Sequence, residues 1–176
     1  MKYFLIVCSV SLYLTSCQKI VSLTQFNMEY TDLVTIPSAT GINLPLSILS
    51  PETTTNAEAE FEINDTRKDL IEQIKLTELQ LVLENPVTED FSFLNEISIY
   101  ISADSVAEQL VAWSIPVPTD AGRQINLNLT DTDLQEYVKS DRFSLRFYTK
   151  TDEILLSDHQ IRWQATFFVD AEIFGI

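Results

Sequence analysis

Apolar and polar residues alternate with a period of two along most of the chain after residue 25. Phe26, Met28 and Tyr30 alternate with polar neighbours, for example, and Ile97, Ile99 and Ile101 alternate with Ser98 and Tyr100. This pattern is typical of strands that bury one face. It predicts strands at 26–36, 44–48, 57–63, 79–83, 97–101, 110–115, 125–129, 143–147 and 159–174. Pro45 predicts an edge strand for the second of these, since proline cannot donate to a sheet ladder.

Two short stretches depart from the alternation and predict helical turns. At 64–73, Asp65 is placed as a capping residue before Leu70, Ile71 and Ile74 at helical spacing. In the second, Thr130 or Asp131 caps a helix that ends near Lys139, with an apolar side formed by Leu134, Tyr137 and Val138.

The two helical stretches sit in similar surroundings, each preceded and followed by a predicted strand. Either the helices are crossovers between two sheets or the match is a coincidence between two capped turns. Many short alternating strands with so little helix predict an all-β fold, an antiparallel β-sandwich of immunoglobulin-like or Greek-key type with two short helical crossovers. A parallel α/β fold would need a substantial helix between most strands.

The first seventeen residues have a different pattern. Lys2 precedes an apolar run from Tyr3 to Leu14, and small residues follow before Cys17. This order is that of a secretory signal. The alternative, a membrane-spanning helix, would need roughly 20 apolar residues. We therefore expect residues 1–16 to be a cleaved signal peptide.

Leu14-Thr15-Ser16-Cys17 resembles the lipobox of bacterial lipoproteins, although a chance cysteine at this place is the alternative. The resemblance implies cleavage before Cys17 and acylation of that cysteine with fatty acids such as palmitate. Cys17-Gln18-Lys19 resembles the start of a Bacteroidota-type lipoprotein and implies an outer-membrane anchor. In that lineage acidic residues after Gln-Lys resemble a surface-export signal; here 20–22 are Ile-Val-Ser, which favours the periplasmic side and leaves surface display open.

The predicted organisation is thus a signal at 1–16, a lipidated tether at 17–25 and one sandwich domain at 26–176. The tether would hold the domain within about 30 Å of the membrane. The other cysteine, Cys8, lies in the signal, so the mature domain has no internal disulfide.

The chain has 11 Lys and Arg against 26 Asp and Glu, a net charge of -15. Such a surface argues against a nucleic-acid partner, which clustered basic residues would bind.

No residue set predicts catalysis, a metal site or a cofactor. His159, the single histidine, follows Ser157 and Asp158, but strand neighbours point to opposite faces, and we expect a solvent-exposed residue at a strand start. Asp131-Thr132-Asp133 has calcium-type oxygen ligands without the rest of an EF-hand loop, so we interpret it as part of a helix cap.

Several aromatic residues fall on the strands, namely Tyr100, Trp113, Tyr148, Trp163 and Phe168. Trp113, Tyr148, Trp163 and Phe168 are the candidate binding patch, suited to carbohydrate stacking or to a partner protein. The alternative is that the core buries them.

Asp104-Ser105-Val106 resembles the Asp-Ser/Thr-aliphatic site of O-glycosylation in exported Bacteroidota proteins, which implies Ser105 as the acceptor. The same three residues would also suit an ordinary loop start.

Three hypotheses for function follow from these features. The first is a membrane-anchored, extracytoplasmic, non-enzymatic binding or assembly module that contacts an envelope protein or glycan. The second is a structural accessory subunit of an envelope complex. A metal-dependent hydrolase is the third, and the chain shows no set of nucleophile, base and oxyanion donors for it.

Lipidation is directly testable. We expect Cys17→Ala to leave the protein soluble or retained as its precursor. Two or three acyl chains anchor a protein stably in a membrane, and the variant could not be acylated at this position. Membrane fractionation measures this, and an unchanged partition into the membrane would contradict the prediction.

Overall fold

The computed structural model describes residues 25–38 and 41–172. The predicted signal, Cys17, most of the tether and residues 173–176 lie outside that part of the chain. Ten strands occur within it. They are β1 (Gln25–Ile36), β2 (Leu46–Leu49), β3 (Thr53–Thr54), β4 (Ile71–Asn85), β5 (Leu94–Ala103), β6 (Val106–Ser114), β7 (Gln124–Asn126), β8 (Asn128–Leu129), β9 (Arg142–Thr151) and β10 (His159–Ala171).

The strands form two sheets in which every pairing is antiparallel. The four-stranded sheet has the order β1-β10-β4-β7. The six-stranded sheet has the order β2-β9-β5-β6-β8, and β3 also pairs with β9. Two helices complete the fold, α1 (Ala57–Ile63) and α2 (Gln135–Val138). The predicted all-β sandwich is confirmed, and β2 is an edge strand as Pro45 indicated.

The alternation in sequence places one face of each sheet in a shared core. Along β10, every second residue from Ile161 to Val169 is buried, and Trp163 is fully so. On the facing sheet, Phe143 and Phe147 of β9 are buried as well. Burial of side chains of this size contributes roughly 1.5–3 kcal/mol each, so the contact between the sheets supplies most of the stabilisation.

Tyr30 closes one edge of this core. Its ring packs edge-on against Phe143 at 5.2 Å and against Phe167 at 5.7 Å. Its hydroxyl donates a hydrogen bond to the carbonyl of Thr55 at 2.8 Å, which ties β1 to the segment before α1. Burial, with a smaller contribution from Glu60, raises the pKa of the Tyr30 hydroxyl above its usual value, so this donor keeps its proton.

The chain changes sheets within the predicted strand 125–129. β7 pairs with β4 in the four-stranded sheet, while β8 pairs with β6 in the six-stranded sheet. Leu127 lies between them, buried, and its backbone N–H donates to the carbonyl of Leu79 at 3.0 Å. One apolar alternating run thus serves two sheets, since both β7 and β8 turn the same set of residues toward the core.

The strand predicted at 57–63 is wrong, because this segment is helix α1. Ala57 and Phe61 are buried, whereas Ile63 is 74% exposed. Residues four apart lie on one face of a helix, so a single helical face buries the first two and leaves Ile63 out. Alanine and glutamate favour helix over strand, and the glutamates of this segment face solvent or lie at its margin.

The helical turn predicted at 64–73 is also largely wrong. A three-residue 3-10 turn at Lys68–Leu70 is all that forms, and β4 begins at Ile71. Asp65 has a positive φ of 55° in the turn after α1 rather than capping a helix.

The second helix is confirmed as α2, with Leu134, Tyr137 and Val138 buried as predicted. Its cap differs from the prediction, because the Asp133 carboxylate, and not Thr130 or Asp131, accepts from the Gln135 N–H at 3.2 Å. Of the two helical connections, only the one through α1 joins strands of opposite sheets. α2 joins β8 to β9 within the six-stranded sheet.

The sandwich has two different ends. The helix end carries both helices, the β5–β6 turn and the start of β1 at Gln25. The loop end carries four connections, at 37–45 (of which the structure describes 37–38 and 41–45), 86–93, 115–123 and 152–158. No helix among the described residues is long and apolar enough to cross a bilayer.

Alanine substitutions in α1 distinguish the helix from a strand. We expect Phe61→Ala to lower the free energy of unfolding by about 3–5 kcal/mol, because it removes a fully buried ring. Ile63→Ala is the matched control and should change it by less than about 0.5 kcal/mol. Urea denaturation measures both. Equal, large losses would contradict the helix, since a strand would bury residues 61 and 63 together.

Candidate binding surface

Three aromatic side chains stand together on the outer face of the six-stranded sheet. Ser98 of β5 pairs with Trp113 of β6 on one side and with Tyr148 of β9 on the other. Neighbouring strands lie roughly 4.8 Å apart, so the backbones of Trp113 and Tyr148 are about 10 Å apart across a small serine. Tyr100 lies two residues along β5, and its ring packs edge-on to Tyr148 at 5.3 Å. We call Tyr100, Trp113 and Tyr148 with Ser98 the aromatic face.

Strand alternation explains why these rings point outward. Ile97, Ile99 and Ile101 of β5 are buried, which leaves Ser98 and Tyr100 on the opposite side. A register shift in the β5–β6 pairing follows Ile99. At this irregularity, Val111 and Ala112 of β6 are both buried although they are consecutive. An extra residue of this kind re-aims the side chains beside it, and Trp113 resumes the outward side.

Charged side chains flank the aromatic face in ion pairs. The Arg146 Nε lies 2.6 Å from the Glu108 Oε1, and the Lys150 Nζ lies 2.9 Å from the Glu96 Oε2. All four side chains are about one-third exposed. The border of the face therefore offers both donors and acceptors to a polar ligand without a net charge of its own.

The structure does not bring the four predicted patch residues together. Trp113 and Tyr148 share the aromatic face, and Tyr148 is 40% exposed. Trp163 is fully buried between the sheets, so its placement in a binding patch is wrong. Phe168 lies on the outer face of the four-stranded sheet, where it pairs with Asn27 and Lys75, on the opposite side of the sandwich.

The outer face of the four-stranded sheet is polar instead. A shallow depression there is lined by Glu29, Thr31, Glu78, Gln80 and Gln164, among others. The Gln80 amide donates to the Asn126 side-chain oxygen at 2.8 Å. Phe168, which pairs here with Asn27 and Lys75, has polar neighbours rather than the adjacent rings of the aromatic face.

His159 is not the exposed residue that the sequence predicted. It does begin a strand, but its side chain is buried. The ring lies 4.3 Å from that of Phe93, its Nε2 is 2.6 Å from the Glu89 Oε2, and its Nδ1 is 3.0 Å from the Ser157 carbonyl oxygen. The Glu89 contact spans 70 residues, which is why local sequence did not reveal it.

The residues around His159 do not form a nucleophile–base set. Ser157 contacts the ring through its backbone carbonyl rather than its hydroxyl. The Asp158 carboxylate accepts a hydrogen bond from the Ser38 backbone N–H at 2.7 Å, and this bond lowers the pKa of Asp158. His159 therefore holds the loop end together, as a buried polar group with both ring nitrogens satisfied.

Arg123 is a second organising residue that the sequence did not single out. Its guanidinium donates to the carbonyls of Pro86 at 2.7 Å and Glu89 at 2.6 Å, and also to those of Leu83 and Glu84. Only arginine has enough fixed donors to bind four carbonyls at once. It fixes the connection at 86–93 at the end of β4.

The Asp131–Asp133 segment has a structural role. The Asp133 carboxylate accepts from the backbone N–H of Ile74 at 3.1 Å and from the Gln135 side chain at 2.7 Å. Asp131 pairs with the Lys75 ammonium at 2.5 Å. In residues 25–38 and 41–172, no three His, Cys, Asp or Glu side chains are arranged to hold a metal ion.

Ser105 lies in the exposed turn between β5 and β6, with a φ of 62°. The turn is at the helix end of the sandwich. The hydroxyl is thus accessible to an enzyme, and O-glycosylation of Ser105 stays a prediction.

No protein-family model matches the chain, and no curated protein matches it in sequence. Among solved structures, N-glycanase F (PNGase F) is 14% identical over 84% of this chain, with a TM-score of 0.45, and the chain spans 42% of that protein. The decameric BFDV capsid protein is 9% identical over 85% of this chain and 98% of its own, with a TM-score of 0.46. FLHE is 10% identical over 84% and 98%, with a TM-score of 0.39. Likenesses at this level concern the fold alone.

The arginine at 123 gives a sharp test of how the loop end is held. We expect Arg123→Lys to lower the free energy of unfolding by about 1–3 kcal/mol, because an ammonium cannot satisfy all four carbonyls. Amide hydrogen exchange at 86–93 should accelerate as well. Arg142→Lys is the control, since the Arg142 guanidinium forms an exposed ion pair with Glu52 away from the loop end, and it should leave exchange at 86–93 unchanged. Identical behaviour of the two variants would refute the role of Arg123.

Proposed function

We propose that this protein is a lipid-anchored, extracytoplasmic, non-enzymatic binding module of the bacterial cell envelope, attached to the outer membrane through Cys17. The observation that carries the binding role is the aromatic face, where Tyr100, Trp113 and Tyr148 surround Ser98 on an uncovered sheet surface. The anchor rests on the lipobox-like sequence Leu14–Cys17 and on the apolar run before it.

The position of β1 supports a short anchor. Seven residues, 18–24, separate Cys17 from the first strand, and they span at most about 25 Å when extended. Since β1 begins at the helix end, that end would face the membrane. The aromatic face runs along the side of the sandwich and would stay accessible to a ligand beside the membrane.

The chemistry of the aromatic face fits an envelope glycan. Sugar rings present apolar C–H faces that stack on the flat rings of tryptophan and tyrosine. Two rings set two strands apart can contact successive sugar units, with the small Ser98 leaving room between them. Arg146 and Lys150, with their glutamate partners, supply hydrogen bonds for hydroxyl groups.

The alternative of a structural accessory subunit has less support from the sheet surfaces. A continuous exposed apolar patch on one sheet would favour it. The exposed aliphatic residues of the sheets are Leu33 of β1 and Leu49 of β2, which lie on different sheets. A hydrolase has less support still, because both ring nitrogens of His159 are engaged within the fold.

Tryptophan fluorescence tests the binding role. The chain has two tryptophans, and Trp163 is buried, so a ligand on the aromatic face should change the emission of Trp113 alone. We expect soluble peptidoglycan fragments or lipopolysaccharide oligosaccharides to change the emission of the detergent-solubilised full chain. Trp113→Phe should abolish the response, and Tyr148→Ala should weaken binding about tenfold.

Phe168→Ala is the matched control for this titration, since Phe168 is an aromatic residue on the opposite outer face. It should leave the affinity unchanged. A lack of response to both glycan classes, or equal weakening by Phe168→Ala and Tyr148→Ala, would overturn glycan binding at the aromatic face.

A further inference from the structure

Exposed aliphatic side chains are concentrated at the loop end. Ten large hydrophobic residues of the described chain are exposed, and six of them lie in the four loop-end connections. Of these six, Leu156 is the most exposed, at 93%, and Val87 is next, at 72%. The six are Ile42, Leu44, Val87, Ile115, Ile154 and Leu156. Single exposed hydrophobics are ordinary, whereas a concentration in adjoining segments marks an interaction site.

These connections are joined to one another by backbone hydrogen bonds. The Asn43 N–H donates to the carbonyl of Thr151 at 2.7 Å, and the Asp152 N–H donates to that of Phe93 at 3.1 Å. The Phe91 N–H donates to the carbonyl of Gly122 at 3.1 Å. All four connections are thus linked to one another by hydrogen bonds near their bases, which fixes where each connection leaves the sandwich.

Buried polar contacts reinforce this frame. The Arg123 guanidinium donates to backbone carbonyls of the 83–89 segment. The buried His159 ring contacts the Glu89 carboxylate. Ordering a loop on binding costs affinity, and a loop that is already ordered avoids that cost. A surface organised in this way is suited to bind a partner without rearrangement.

The charges of the loop end are almost all negative. Its four connections contain one cation, Arg123, whose guanidinium is turned onto backbone carbonyls. The acidic residues are Glu89, Asp90, Asp120, Asp152, Glu153 and Asp158. Hydrogen bonding by Ser92 lowers the pKa of Asp90, and the Ser38 N–H does the same for Asp158, so both stay ionised. The aliphatic tips are therefore surrounded by negative charge.

We infer that the loop end is a docking surface for a partner protein that presents an apolar centre ringed by lysine and arginine. A second copy of this chain would bring two acidic rims together, which charge repulsion opposes. Anionic lipid headgroups are disfavoured for the same reason. The tips are aliphatic and lack the flat rings that stack on sugars, so the loop end differs in chemistry from the aromatic face. This surface goes beyond the proposed glycan binding and does not depend on it.

Site-specific photo-crosslinking in intact cells tests the inference. A photo-crosslinking amino acid at position 156 of the full chain should capture one protein, through a segment that contains apolar residues beside Lys or Arg. The same amino acid at position 63, which is 74% exposed at the helix end, should not capture that protein. Crosslinks to a second copy of this chain, crosslinks to lipid only, or no crosslink at position 156 would each overturn the inference.

Affinity measurements with the captured protein, once purified, complete the test. Leu156→Ala should weaken binding about tenfold by removing an apolar contact. Glu153→Gln should reduce the dependence of affinity on salt, because it removes one charge from the rim. Both residues are exposed, so neither change should disturb folding. Ile63→Ala should have no effect, and an affinity insensitive to Leu156→Ala or independent of salt would contradict the proposed surface.

Discussion

The packing of β10 against β9 across the interface between the sheets is the contact on which the rest of the structure depends. β10 lies between β1 and β4, and its Trp163 and Phe167 meet the ring of Phe143 at 6.4 and 5.9 Å. These rings fill the interior of the sandwich. Because the interior is filled, the surfaces available to ligands are the outer faces of the sheets and the ends of the sandwich. Six of the ten exposed large hydrophobic residues among the described ones lie at the loop end, and Tyr148 lies on the aromatic face.

Strand alternation predicted most of the fold. It failed where the two-residue spacing of a strand coincides with the four-residue spacing of a helix. In 57–63, apolar residues stand at every second position, but Ala57 and Phe61 are also four apart. A strand and a helix both explain that spacing, and burial of Phe61 without Ile63 decides for the helix. The run 125–129 was identified correctly as extended, yet its division between the sheets at Leu127 depends on the partners β4 and β6, which local sequence does not specify.

The alternation of inward and outward positions along each strand also determines how much of the candidate site could be predicted. The alternation that buries Ile161 and Phe167 also buries Trp163, so its exclusion from the surface follows from the pattern, and the outward direction of Tyr148 follows from buried Phe147. Residue type alone was the weaker guide. The contacts of Arg123 with 83–89 and of His159 with Glu89 span 34 to 70 residues. They arise only once the sheets are assembled, and no local signal in the sequence marks them.

Under the two proposals, the protein would bind one ligand through the aromatic face and a partner through the loop end, while its helix end would face the proposed anchor. Hydroxyl-radical footprinting of the protein in native envelopes, compared with the purified full chain, tests this most directly. The account predicts protection of Trp113, Tyr148 and Leu156 in the envelope, with Ile63 equally reactive in both samples. Equal oxidation of all four residues in the two samples would contradict it, because both surfaces would then be unoccupied in the cell.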